Sequence, residues 1–177
     1  MRARELAGAM LPPGAWRIEA DADGRPLVVG GDGSRGPDLS LSHSGAWVAA
    51  ALAGQGRVGV DVETLRPGRD ARGIADAWLS QPERRAVAAE GQGALLAFWC
   101  MREAVAKAIG GGLAEALGLD GAILPEGRGG SCGTSTWVVA HRQAQDLHIA
   151  LAWSGPGLAP GRCRWLEDVL AHGMPVS

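Results

Sequence analysis

The sequence predicts an α+β chain of short antiparallel strands and a few helices, and three observations carry that prediction. Apolar and polar residues alternate within 39–43 and 58–63, the two-residue period of half-buried strands, and further strand-like stretches lie at 136–141 and 147–153. Between these stretches, Leu95, Trp99, Glu103 and Lys107 recur at four-residue spacing, which belongs to a helix. Gly and Pro clusters punctuate the chain often enough to keep every element short.

Taken in order, residues 2–10 read as a helix ended by Pro12 and Pro13, followed by short strands near 16–18 and 27–29. Strands near 39–43, 46–53 and 57–63 follow so closely that an antiparallel meander is expected. Helices come next at 71–79 and 82–90, the second with Pro82 in its first turn, where the missing amide costs nothing. The longest helix runs over 93–109 and stops at Gly110, Gly111 and Gly112. Strands at 136–141, 147–153 and 162–165 make a second small sheet, and the glycine-rich run 126–134 reads as a flexible loop.

Composition removes several classes of function. A net charge of -2 gives no basic footprint for nucleic acid. No apolar run approaches the roughly 20 residues of a membrane span, and Glu5 with the two prolines spoils a signal-peptide reading of the start. A cytoplasmic protein is expected. Cys100, Cys132 and Cys163 are odd in number and lack metal-ligand spacing, so neither a disulfide framework nor a zinc site is expected.

Three local patterns carry chemistry. Lys107 is the single lysine among seventeen basic residues; its ammonium is a compact point charge that no arginine reproduces. An ion pair with Glu103, four residues earlier on a solvated helix face, accounts for it equally well at this level. Val58-Gly-Val-Asp-Val-Glu63 is a strand with one oily face and two carboxylates, Asp61 and Glu63, on the other. Like charges so placed repel unless a hard cation such as Mg2+ sits between them, although an exposed edge strand would carry them as well. Glu103, on the helix stripe, is placed where it can join them as a third acidic group. Finally, Leu39-Ser-Leu-Ser-His-Ser-Gly45 brings Ser42 and His43 to a strand end, where hydroxyl and imidazole groups suit phosphate oxygens or simply brace the strand.

In order and spacing, Leu-Ser-His-Ser-Gly, Gly-Val-Asp-Val-Glu and Trp-x-x-Arg-Glu-Ala-x-x-Lys-x-x-Gly-Gly-Gly-Leu resemble the motifs of 4'-phosphopantetheinyl transferases of the surfactin-synthetase-activating type. The resemblance is specific over about residues 24–113. It implies a fold of two small pseudo-repeated lobes, each an antiparallel sheet with helices. These are expected at 1–66, with the first lobe truncated, and 67–177, forming one compact unit with the site between them. It implies transfer of the phosphopantetheine arm of coenzyme A to a serine of an acyl or peptidyl carrier protein. Asp61, Glu63 and Glu103 would then hold Mg2+, Glu103 would take the serine proton, and Lys107 would offset phosphate charge. Arg25, Ser42, His43, Arg102 and Lys107 would contact coenzyme A. Arg102 stands where the family usually has lysine, and fewer residues precede Gly24-Arg-Pro26 than is usual. A homologue that binds coenzyme A or a carrier protein without turnover, and an unrelated Mg2+-dependent phosphohydrolase, are the alternatives. A homo-oligomer covering the open edge of the first lobe is also expected.

Overall fold

The computed structural model describes residues 3–65, 68, 70–111, 129–132 and 135–155. The strand expected at 162–165, together with Gly112 and Cys163, lies outside them. The first sheet is formed by β1 (Trp16–Ala20), β2 (Pro26–Gly30), β3 (Arg35–Ser44) and β4 (Trp47–Ala53), adjacent in that order and antiparallel throughout. Helix α1 (Ala3–Met10) packs on it, with Ala7 buried among Val28 and Leu39.

The second sheet draws on a longer stretch of chain. Its strands are β5 (Arg57–Thr64), β6 (Gly129–Cys132), β7 (Ser135–Ala144) and β8 (Leu147–Ser154), in the spatial order β5-β8-β7-β6. Helices α2 (Ala71–Trp78), α3 (Gln81–Glu90) and α4 (Gln92–Ile109) lie between β5 and β6 in sequence. Asp70 caps α2 by accepting the Gly73 amide at 2.9 Å, and α4 ends where Gly110 takes the left-handed conformation, φ 79°. The mixed α+β class and the helix positions therefore follow the sequence reading closely.

Two expectations need correction. The meander stops after β4: β5 pairs with β8 instead, from Arg57 opposite Ser154 to Thr64 opposite Leu147. The two sheets thus divide at residues 54–56. The connecting turn explains the switch, because Trp153 Nε1 donates to the Gln55 carbonyl at 3.0 Å and fastens the turn to the end of β8. Gly56, at φ 73°, permits that course. The second correction concerns 126–134, where Gly129–Cys132 forms β6 against β7 and is not a free loop.

Strand β5 is the hinge of the arrangement. Val58, Val60 and Val62 face Ala49 and Ala51 of β4 in one buried cluster. On its other face Gly59 lies directly beneath α4: a Cβ there would collide with the Ala104 carbonyl and stand 2.6 Å from the Ala108 nitrogen. Helix and strand therefore touch backbone to backbone, which only glycine allows.

Among the described residues the edge of β5 facing the first sheet has no strand partner, yet it is not bare. Its amides at Val58, Val60, Val62 and Thr64 donate to Asp38 Oδ2 (2.8 Å) and to Oγ of Ser40 (3.0 Å), Ser42 (3.3 Å) and Ser44 (3.3 Å). Its carbonyls at Val58 and Val60 accept from Arg25 and Lys107, each at 3.1 Å. Side chains of β3, α4 and the turn between β1 and β2 thus supply what a neighbouring backbone would supply in a continuous sheet.

Two glycines should respond oppositely to alanine. Gly59→Ala forces α4 off the sheet and is expected to lower unfolding stability by at least about 2 kcal/mol. Gly93→Ala, in α4 with open space at its Cβ, should raise it by about 0.5–1 kcal/mol. Urea denaturation of both variants checks the pair.

Candidate active site

Helix α4 is buried on nearly every side, and its half-exposed positions include Trp99, Glu103 and Lys107. The charged end of the stripe read from the sequence is thus a window in an otherwise buried helix. Because Gly59 lets α4 lie flat on β5, the window opens beside the strand's acidic face.

Lys107 reaches across this contact. Its Nζ lies 2.8 Å from Asp61 Oδ1 and 3.1 Å from the Val60 carbonyl. The ion pair therefore joins helix to strand, in place of the i,i+4 pair with Glu103 that the sequence also allowed. Asp61 is not on an exposed edge either: it is only 6% exposed. Its Oδ1 also accepts from Ser42 Oγ at 2.8 Å, and its Oδ2 is buried without a partner among the described residues.

The other two carboxylates stand nearby under different restraints. Glu63 Oε2 accepts from Ser44 Oγ at 2.9 Å. Glu103 is half-buried, and its pKa is raised chiefly by burial and then by the charge of Asp61; Lys107 opposes the rise and Glu63 adds to it. The acidic groups therefore feel one another, as the sequence suggested. Among the described residues no three such side chains are drawn close enough to hold an ion. The residues nevertheless fit a hard divalent cation. They offer only oxygen, and Asp61 Oδ2 is a buried acceptor without a hydrogen-bond partner among the described residues.

The residues expected to hold coenzyme A divide. Ser42 and Lys107 join the cluster. His43 is exposed, and strand alternation sends it to the face opposite Ser42 and Ser44. Arg25 is only 17% exposed and braces the fold: it pairs with Asp38 at 2.7 Å and donates to the Val58 and Lys107 carbonyls. Arg102 requires a plain correction. At 2% exposure it points into the core and pairs with Glu83 at 2.7 Å, while Glu83 also accepts from the Ser80 amide and hydroxyl. The pair ties α3 to α4 and leaves this guanidinium no access to a solvent-borne ligand. Its place on the buried side of the helix, one residue from the window, is the reason.

Several contributors went unnoticed in the sequence. Asp38, Ser40 and Ser44 extend Ser42 into a period-two polar series along β3, a signal present in the sequence but hidden by attention to the Ser-His-Ser triplet. His148, opposite Glu63 across β5 and β8, is 1% exposed. Its Nδ1 lies 3.1 Å from His141 Nε2, with the rings stacked. Burial lowers both imidazoles; the charge of His148 lowers His141 further, to about 4, while Asp146 opposes the fall at His148. Cys100 lies beneath the same strands, its thiol against the Asp61 carbonyl at 3.1 Å, and burial, then Asp61, drives its pKa far up. It is a packing thiol.

The sequence profile described as the 4'-phosphopantetheinyl transferase superfamily matches residues 57–154, more than half of the chain. Among curated proteins, the chain is similar to the 4'-phosphopantetheinyl transferase AcpT of Escherichia coli strain K12, with 29% identity over 136 residues, covering 74% of this chain and 65% of that protein. AcpT of Salmonella typhi is 34% identical over 89 residues, covering 48% and 46% respectively. The 4'-phosphopantetheinyl transferase HetI of Nostoc sp. strain PCC 7120 is 26% identical over 128 residues, covering 69% and 54%. The chain thus spans between about half and two thirds of the length of the curated relatives it matches.

The stacked histidine pair predicts a pH effect with a definite sign. The folded-state pKa of His141 lies below its ordinary 6.5, so the unfolded chain binds the extra proton and stability falls as pH drops from 6.5 toward 4. His141→Gln should flatten the slope in that window. Glu103 contributes with the opposite sign, because its folded pKa is raised, so the comparison is between variant and wild type. Melting temperature measured across this pH range in both proteins checks it.

Proposed function

Because the chain belongs to the 4'-phosphopantetheinyl transferase superfamily, we propose that it moves the phosphopantetheine arm of coenzyme A onto a serine of an acyl or peptidyl carrier protein, releasing adenosine 3',5'-bisphosphate. The observation that supports this most directly is the Asp61–Lys107 pair at 2.8 Å, held against the half-buried Glu103 by the flat packing of α4 on Gly59. A basic group stands among carboxylates that influence one another's charge, which suits phosphoryl transfer from a pyrophosphate. The surfactin-synthetase-activating subtype is part of the proposal, on the spacing of Trp99, Glu103 and Lys107 before the glycine run.

Asp61, through Oδ2, would hold Mg2+ together with Glu63 and Glu103. The ion, when bound, supplies polarisation of a phosphate oxygen. The remaining work belongs to the side chains. The serine oxygen of the carrier forms a bond to the phosphorus that bears pantetheine, the pyrophosphate P–O bond breaks, and the serine proton passes to Glu103. Burial and neighbouring charge raise the Glu103 pKa, which brings it nearer the working pH and makes it a better base. Lys107 spends two donors on Asp61 and Val60. Its third N–H serves a phosphate oxygen, where charge is stabilised most effectively in a site shielded from water.

The test is mass spectrometry of an apo carrier protein incubated with this protein, coenzyme A and Mg2+. A gain of one phosphopantetheine group on the carrier is expected. Coenzyme A binding without that gain would replace the proposal with a non-catalytic binder, and hydrolysis of coenzyme A without transfer would replace it with a phosphohydrolase.

The cation assignment has its own check. Coenzyme A should bind more tightly with Mg2+ than with chelator, and Asp61→Ala should abolish most of the difference, on the order of ten-fold or more in Kd. Titration calorimetry giving equal affinity in both conditions would remove the cation from the site.

A further inference from the structure

Four side chains fasten β3 to β5, and they are not equivalent. Ser40 Oγ accepts the Val60 amide and touches no carboxylate among the described residues. Ser42 accepts the Val62 amide and donates to Asp61. Ser44 accepts the Thr64 amide at 3.3 Å and donates to Glu63 Oε2 at 2.9 Å. A hydroxyl has one proton, so an oxygen engaged by a backbone amide turns that proton toward its best remaining acceptor. For Ser44 the choice lies between a carboxylate at 2.9 Å and the Thr64 hydroxyl at 3.4 Å, and the shorter, charged acceptor prevails.

We propose that Ser44 is a positioning residue for Glu63, fixing the carboxylate in the orientation from which it serves a divalent cation. Ser44 is 2% exposed and therefore cannot itself reach coenzyme A. It acts only through what it touches. Glu63 is half-exposed near the end of β5 and, among the described residues, Ser44 is the side chain to which it is hydrogen-bonded. Removing the hydroxyl frees the carboxylate to rotate into solvent. Motif resemblance gives roles to Ser42 and His43 but none to the second serine of Ser-His-Ser; the geometry assigns it this one.

The inference rests on the transferase reading for its significance, but its test does not depend on transfer. Mn2+ serves as a paramagnetic probe, titrated into the full chain with coenzyme A and followed by electron paramagnetic resonance. Ser40→Ala and Ser44→Ala each delete one amide acceptor, so both should lower the melting temperature by similar amounts. Only Ser44→Ala should weaken Mn2+ binding, on the order of ten-fold, as loss of an orienting hydrogen bond to a ligand does. Added to Glu63→Gln, Ser44→Ala should then have little further effect, since the two changes interrupt one interaction.

Equal Mn2+ affinity in wild type and Ser44→Ala overturns the proposal, as does an equal loss in Ser40→Ala, full additivity with Glu63→Gln, or no Mn2+ binding by wild type. Should Ser44→Ala fail to fold, Ser44→Cys fills nearly the same space with a poorer donor and is expected to give the same loss. Mn2+ binding that depends on Ser44, in a protein that transfers nothing to a carrier, would end the transferase reading and leave the role of Ser44 standing.

Discussion

A strand edge must be paired, covered or solvated, and the way β5 meets that requirement organises the rest of this molecule. Its edge facing the first sheet is satisfied by side chains: Asp38, Ser40, Ser42 and Ser44 take its amides, while Arg25 and Lys107 take two of its carbonyls. Each of these groups except Ser40 carries a second obligation. Asp38 holds Arg25, Ser42 and Lys107 hold Asp61, and Ser44 holds Glu63. The contacts that join the two sheets are therefore the contacts that arrange the acidic face, and fold and candidate site share one set of hydrogen bonds.

The same economy explains why burying Asp61 is tolerable. A carboxylate withdrawn from water is costly unless it is paired and hydrogen-bonded. Here one oxygen has both an ammonium and a hydroxyl, while the other has neither among the described residues. The result is an anion with half of its coordinating capacity satisfied and half held in reserve. Glu103, lifted by burial and by Asp61, is the neighbour that registers this imbalance. Arg102 and Glu83 resolve the same problem completely, each charge meeting the other inside the core, and so they hold helices together and offer nothing to a ligand.

Much of this was legible from the sequence, for identifiable reasons. Period-two alternation located β3 and β5, and helical spacing with a glycine stop located α4, because those signals are local. Asp61, Glu63, Glu103 and Lys107 stood out through motif order. What the sequence could not reveal was pairing at a distance. Nothing local distinguishes a third meander strand from one that crosses to β8, since the decision rests on Gln55 meeting Trp153, 98 positions away. Arg102 was misplaced because adjacent helix positions differ by about 100°, and one such step separates the window from the core. Strand β6 was hidden by its glycines, which read as a loop when pairing with β7 is not in view.

The four rungs between β3 and β5 all join residues 20 apart, so the two strands run parallel across the gap between sheets. Three rungs are serines and chemically alike. A slip of two residues would preserve most of their hydrogen bonds while moving both carboxylates past their hydroxyl partners, so the serines alone cannot tell the correct alignment from its neighbour. Asp38 can. As the single charged rung, salt-bridged to Arg25, which also grips the Val58 and Lys107 carbonyls, it would be stranded by any such slip. In an otherwise repetitive fastening, that ion pair is the key that admits one alignment and rejects the rest.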